Sequence, residues 1–327
     1  MGIADVRAES TGRLLRTYWM PRYWSAWCLW LWLRASALVS IDTALWVHRR
    51  IGRGLYRVAR KQRRVVLRNL ELCFPELSSV AVRALAKRHF EALAASFAEC
   101  AIAWFAPDER LDGRFEIVGL EHLEAALERR KGVILYTGHF TTLEICGRPL
   151  KHITPQFACL FSRRSNALLE EIQRQGRMRI AHESIRSDDV RAMLRSLKRN
   201  AVVWYAPDQV YRRGQLVPFF HELAMTNVAT SRLARLSGAA VIPFRYRRLD
   251  GQGRYELQFH APLEDFPTDD AIRDTRRLVE CLEEFIRACP EQYQWAHRRF
   301  RARPPELPDL YRTDPARRRP VSTASAV

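Results

Sequence analysis

The chain has 327 residues, 47% hydrophobic and 28% charged, a balance that supports a sizeable core and excludes global disorder. Its 54 Lys and Arg outweigh 36 Asp and Glu, a formal charge of +18, so polyanions are the expected partners: nucleic acid, an anionic membrane surface or a phosphorylated substrate. Seven Cys, an odd number with no CxxC spacing, argue against a disulfide framework or a structural zinc site and fit a reducing compartment.

The N-terminus is the most biased segment. Trp19, Trp24, Trp27, Trp30, Trp32 and Trp46 are six of the nine tryptophans. Only Arg34 and Asp42 are charged between Tyr23 and Val47. The charge-free stretch Tyr23 to Leu33 is shorter than the ~18 apolar residues of a clean spanning helix. Arg34 interrupts the apolar region and no small-residue cleavage pattern follows, which speaks against a signal peptide. Tryptophan at this density suits a membrane interface. Residues 1–48 are therefore expected to be a membrane anchor segment whose helix spans the bilayer or lies in its interface; the alternative is an amphipathic helix packed on the domain. No acidic residue occurs between Arg49 and Asn69, a run rich in Arg. A polybasic stretch behind an apolar one predicts anchoring at anionic lipid, with the following domain on the cytoplasmic side.

Helical spacing of Val82, Leu85, Phe90, Leu93 and Phe97 predicts a helix over 78–105, capped by Ser78 or Ser79. A short helix over 119–130 follows. Val133 to Thr137, a continuous apolar run between Gly132 and Gly138, predicts a buried strand. Helices are expected at 165–178 and 187–199, then a buried strand from Ala201 to Ala206, stopped by Pro207. A helix over 225–237, strands from Ala239 to Arg247 and from Tyr255 to His260, and a helix over 269–288 ended by Pro290 complete the pattern. Strands alternating with helices predict one α/β domain with a mixed sheet flanked by helices over 49–311, and a disordered tail over 312–327.

The segment that carries chemistry is Thr137-Gly138-His139-Phe140-Thr141-Thr142-Leu143-Glu144, at the end of a buried strand, where open α/β sheets place ligands. His139 and Glu144 would lie about 140° apart on one helix, so they do not share a helical face. They meet if His139 sits on the turn, with Gly138 supplying backbone freedom, and Glu144 lies in the next helix. Glu144 then accepts a bond from one imidazole nitrogen and leaves the other free as a base. The bland alternative is a surface histidine in a loop. Asp208 follows a second buried strand and Pro207, so it falls near the same sheet edge. The run Arg298 to Arg303 reads as a phosphate-contacting patch or a solvated charge run, and His297 as structural. No glycine-rich phosphate loop or HExxH metal motif is present.

With these residues the chain resembles the late acyltransferases of lipid A biosynthesis, most of all the lauroyl-transferring branch. The resemblance runs from Pro21 to Tyr311. It rests on Pro21-Arg22-Tyr23-Trp24, Arg68-Asn69-Leu70-Glu71-Leu72-Cys73-Phe74-Pro75-Glu76, the His139–Glu144 segment, Val203-Trp204-Tyr205-Ala206-Pro207-Asp208-Gln209, and Pro290-Glu291-Gln292-Tyr293-Gln294-Trp295-Ala296-His297-Arg298-Arg299-Phe300. It implies a glycerolipid-acyltransferase-like fold at the cytoplasmic side of a bacterial inner membrane. The reaction implied carries an acyl chain from the phosphopantetheine of acyl carrier protein to a hydroxyacyl group of a Kdo-bearing lipid A precursor. No further cofactor and no metal is implied. His139 and Glu144 fall on the family's catalytic dyad, and Asp208, Arg177 and Arg164 on its substrate-binding positions. Where relatives show an aromatic-Arg-Pro-Asn stretch, this chain has Phe161-Ser162-Arg163-Arg164-Ser165-Asn166.

The expected partners are acyl carrier protein, the lipid A precursor and inner-membrane phospholipids, and no nucleic acid, because the basic runs lack the interleaved aromatics of single-strand binders. Two rivals remain: a lysophospholipid or glycolipid acyltransferase using acyl-CoA, and a non-catalytic protein that binds anionic membranes.

Overall fold

A computed structural model of the chain describes residues 14, 16–162, 165–249 and 253–312. Helices α1 (Trp24–Ser36), α2 (Ile41–Val58), α3 (Arg60–Cys73) and α4 (Ser79–Phe105) come first. Then follow β1 (Phe115–Val118), α5 (Leu120–Glu128), β2 (Val133–Tyr136), α6 (Leu143–Ile153), β3 (Phe157–Phe161), α7 (Ala167–Ile180), β4 (Glu183–Arg186), α8 (Val190–Lys198) and β5 (Val202–Tyr205). The chain continues through β6 (Gln215–Phe219), β7 (Glu222–Thr226), α9 (Ala229–Ser237), β8 (Ala240–Arg248), β9 (Tyr255–Phe259) and α10 (Ala271–Ala288).

Seven strands form one sheet in the order β1-β9-β8-β2-β5-β3-β4, and β6 and β7 form a separate hairpin. The five strands from β8 to β4 are mutually parallel, while β9 pairs antiparallel with β8 and parallel with β1. This is the expected α/β fold with a mixed sheet. Strands β2 and β5 are buried along their whole length, as their unbroken apolar runs require of central parallel strands. Helix α4 is the long helical support: the Ser78 hydroxyl caps it by accepting from the Ala81 N–H at 3.2 Å. It buries a column of alanines, among them Ala86, Ala95, Ala98 and Ala101, and α1, α2, α6 and α7 all pack on it.

Two expectations change. The helix expected over 225–237 begins only at Ala229, because Met225 and Thr226 belong to β7, which pairs with β6 from Gln215↔Thr226 to Phe219↔Glu222. Its tight turn carries Phe220 at φ +53°, without the glycine that marks such turns in sequence. Of the two arrangements left open for the N-terminal anchor, the spanning one finds no support: among the described residues no helix is long and apolar enough to cross a membrane. Helix α1 has 13 residues, about 20 Å at the rise of an α-helix, against the roughly 30 Å of a bilayer core. Helix α2 runs unbroken across residues 48 and 49 and buries Ile41, Ala44, Leu45, His48 and Gly52. The expected disordered tail lies, past Arg312, outside the described residues.

Candidate active site

Strands β2 and β5 are neighbours in register, with Tyr136 opposite Tyr205. His139 and Asp208 each stand three residues beyond that pair, so the sheet delivers both to one point at the carboxyl ends of its central strands. His139 Nδ1 lies 2.5 Å from Asp208 Oδ1, and the His139 backbone N–H donates to Asp208 Oδ2 at 2.9 Å. The Tyr293 hydroxyl also hydrogen-bonds this carboxylate, whose side chain is 1% exposed. The His139 side chain is 35% exposed, and no partner occupies its Nε2 among the described residues. It opens on a crevice lined by Asn69, Gln209, Gln294 and His297.

The electrostatics follow from this contact. Burial disfavours the imidazolium, but the charge and hydrogen bond of Asp208 outweigh it and hold the His139 pKa above 6.5, although Arg177 works against them. Burial likewise pushes Asp208 up, and the facing imidazole and the hydrogen bonds it receives bring it below 3.8. A carboxylate bonded to Nδ1 fixes the proton there and leaves Nε2 as a lone-pair base.

The expected bond between Glu144 and the imidazole is corrected. Glu144, in the first turn of α6, turns the other way. Its Oε1 accepts from Arg177 Nε at 3.0 Å and Nη2 at 2.7 Å, and its Oε2 from Trp104 Nε1 at 2.9 Å. Arg177 spends its remaining nitrogen on the Leu160 carbonyl at 2.6 Å and is 8% exposed, so all three guanidinium nitrogens serve protein groups. Burial opposes its charge, and Glu144 overrides that and raises its pKa. Gly176 allows this cluster to close: a Cβ there would stand 2.2 Å from the Trp104 ring. Arg164 lies outside the described residues.

Gly138 also acts differently from expectation. It is not among the positive-φ glycines; it is required for space, since a Cβ would lie 2.5 Å from Leu282 and 3.1 Å from Asp208 Oδ2. The turn is braced by groups the sequence did not single out. The Tyr246 hydroxyl donates to the Gly138 carbonyl at 2.8 Å and accepts from the Phe140 N–H at 3.4 Å. The Gln294 N–H donates to the His139 carbonyl at 3.0 Å, and the Thr141 N–H to the Gln292 carbonyl at 2.7 Å. Tyr293 and the two glutamines lie inside a quoted motif, so their importance was signalled; Trp104 and Tyr246 gave no signal. His297 holds the loop after Asp208, its Nε2 accepting from the Val210 N–H at 3.1 Å. Tyr246→Phe removes one oxygen and nothing else from the brace. It is expected to lower kcat about tenfold with KM within about twofold, measured by steady-state kinetics.

The arrangement is an imidazole held by a buried carboxylate, with its second nitrogen open to the crevice. A family model described as "Bacterial lipid A biosynthesis acyltransferase" matches residues 14–302. The chain belongs to this family. It is 36% identical to the lipid A biosynthesis lauroyltransferase of Escherichia coli (strain K12), over 89% of this chain and 96% of the relative. The palmitoleoyltransferase of the same strain is 34% identical over 90% and 97%, and its myristoyltransferase 27% identical over 87% and 89%. The match spans the α/β domain and both helices that precede α3, so these belong to the family architecture. The chain is an acyltransferase of lipid A biosynthesis, and the relatives' names differ in the acyl chain.

Proposed function

We propose that the chain transfers a fatty acyl chain, lauroyl or one of similar length, from acyl carrier protein to a hydroxyacyl group of a Kdo-bearing lipid A precursor. The observation that carries this reading is the His139 imidazole, tied to buried Asp208 through Nδ1 with Nε2 open to the crevice, in a chain that aligns with a lauroyltransferase along almost its whole length. His139 Nε2 takes the proton of the acceptor hydroxyl. The oxygen attacks the thioester carbonyl, the tetrahedral adduct collapses with loss of the carrier thiolate, and the proton on Nε2 passes to that sulfur. Donor thioester and acceptor alcohol thus become ester and thiol, with no covalent enzyme intermediate and no further cofactor. A covalent route would need Thr141, Thr142 or Cys146 as nucleophile, and their burial supports the direct route: Cys146 and Thr142 are fully buried, the Cys146 thiol is pushed well above 9.0 by that burial, and the Thr141 hydroxyl oxygen is buried too. Asp208 acts by orienting His139 and not by binding substrate, since its oxygens serve the turn. Glu144 is a positioning residue that fixes Arg177 and the first turn of α6 behind the site.

The deciding experiment incubates purified protein with the precursor lipid and a mixture of acylated carrier proteins, and follows the lipid by mass spectrometry. The expected result is an added acyl mass on the lipid and none on the protein. Transfer from acyl-CoA to a lysophospholipid alone would favour the rival enzyme, and an acyl adduct on the protein that is competent to transfer would overturn the direct route.

The site is proposed to work at the cytoplasmic face of the inner membrane, with the N-terminal helices against phospholipid. Trp19, Trp24, Trp46, Leu38 and Val58 are 68%, 61%, 55%, 84% and 72% exposed, a costly display of large apolar groups unless lipid covers them. Removing residues 1–47 would also remove core residues Leu33, Ile41 and Leu45, so point changes are the cleaner probe. The variant with Trp19, Trp24 and Leu38 changed to Ser is expected to lose most binding to anionic vesicles at high salt in a flotation assay. It should keep a salt-sensitive remainder through the basic run 49–68.

A further inference from the structure

The run Arg298 to Arg303 contains four arginines and no acidic residue, and the fold sorts them into two kinds. Arg299 and Arg303 point inward. Arg299 donates to the Met225 carbonyl at 2.7 Å and to the Thr226 hydroxyl at 2.6 Å, and Arg303 pairs with Glu222 at 3.3 Å. Both clamp the β6–β7 hairpin. Arg298 and Arg301 point outward. Arg298 rests over the Tyr311 ring, 5.7 Å from its centroid, and neither has a carboxylate partner among the described residues.

A second exposed pair, Arg212 and Arg213, sits in the loop that follows Asp208, again with no carboxylate partner among the described residues. No acidic residue occurs from Gln209 to His221. The two stretches are joined at the crevice. The Val210 N–H donates to His297 Nε2 at 3.1 Å, and Gln209, His297 and Arg299 line the same crevice as His139 and Asp208. The Met225 carbonyl that receives Arg299 also accepts from the Tyr211 N–H at 3.4 Å, which fixes the loop over the hairpin.

We propose that Arg212, Arg213, Arg298 and Arg301 form a phosphate-binding rim that seats the phosphorylated headgroup of the acceptor while its hydroxyl reaches His139. This rests on His139 acting on a lipid hydroxyl. All four cations are arginine, whose planar fork matches a phosphate through paired hydrogen bonds, where lysine offers only a point charge. The Val210–His297 contact brings the two exposed basic stretches together beside the crevice, and the like charges gathered there are relieved by a multivalent anion. A protein partner would need roughly 800 Å² of surface with an apolar centre. In residues 209–214 and 297–303 only Tyr211 exposes a large ring.

The test uses the full chain carrying His139→Ala, so that binding is read without turnover. Its probe is a lipid A precursor in detergent micelles, as isolated and after phosphatase treatment. Arg212→Ala with Arg213→Ala, and separately Arg298→Ala with Arg301→Ala, are expected to weaken binding of the phosphorylated lipid about tenfold or more and flatten its salt dependence. Binding of the dephosphorylated lipid should change less than twofold. With His139 restored, the same pairs should raise KM for the acceptor far more than KM for the acyl donor. Unchanged binding of the phosphorylated lipid would overturn the proposal, as would a rise confined to the donor KM, which would mean that the rim docks the carrier protein. If the unmodified chain acylates no lipid hydroxyl, the transfer reading fails, and the binding measurement still decides the rim.

Discussion

His139→Ala is expected to abolish acyl transfer, with a loss of at least about 10²- to 10⁴-fold in kcat, the worth of a positioned general base. The reason lies in the geometry. Nε2 of His139 is the base-competent atom at the crevice, and the neighbouring candidates are spoken for: His297 Nε2 holds the Val210 N–H, and Glu144 is tied to Arg177 and Trp104. The His139 backbone N–H keeps its bond to Asp208 in the alanine variant, so the fold and membrane binding should hold, while loss of the imidazole beside buried Asp208 should lower thermal stability, more at pH 6 than at pH 9. Transfer assayed from acylated carrier protein, alongside a melting curve, checks both halves. Activity within about threefold of the unmodified protein would sink the mechanism.

Asp208→Asn is expected to be nearly as damaging, at about 10³- to 10⁴-fold, because an amide can present its N–H to Nδ1 and stabilise the wrong tautomer. It also makes a pH prediction with a definite sign. In the unmodified protein Asp208 raises the His139 pKa above 6.5 against the opposing effects of burial and Arg177. The proposed mechanism needs the neutral imidazole, so kcat should rise with pH through a limb centred above 6.5. Without the Asp208 carboxylate, burial and Arg177 act unopposed and the limb should move below 6.5. The same shift is a stability statement. A histidine whose folded pKa is raised stabilises the fold fully below 6.5, and that contribution disappears as pH climbs through the folded value. The gain of stability from pH 9 to pH 6 that this pair gives should therefore shrink in Asp208→Asn. An acid limb that stays in place, by pH–rate profile or by imidazole titration in NMR, would remove Asp208 from its assigned part.

Much of the fold was legible because the signals are local. Unbroken apolar runs gave β2, β5 and the start of β8, Ser78 gave the first turn of α4, and Pro290 the end of α10. Strands β1, β3 and β4 and the β6–β7 hairpin were missed: β1 and β4 mix polar with apolar residues over four positions, β3 lacks the bounding glycines of β2, and the hairpin turn lacks glycine. Strand β6 even carries Pro218, which reads as a strand breaker although it is tolerated in this two-stranded edge pair. The Trp-rich terminus reads as apolar in sequence. Its turn at Ser36–Ser40 and the docking of α2 on α4 make it two helices, neither of them a span among the described residues.

The sequence by itself determined the family, the α/β class, the basic character and His139 as the residue at a strand end around which chemistry gathers. Each of these depends on neighbours along the chain or on long ordered motifs. Only the tertiary structure decided which carboxylate holds the imidazole. Glu144 is five residues from His139 and Asp208 is sixty-nine residues away, yet β2 and β5 lie side by side with Tyr136 facing Tyr205 and bring the distant residue into contact. Strand order is set by which apolar faces pack together across the whole sheet. Helix α6 then carries the nearer carboxylate toward Trp104 and Arg177, whose positions are fixed by the packing of α4 and α7.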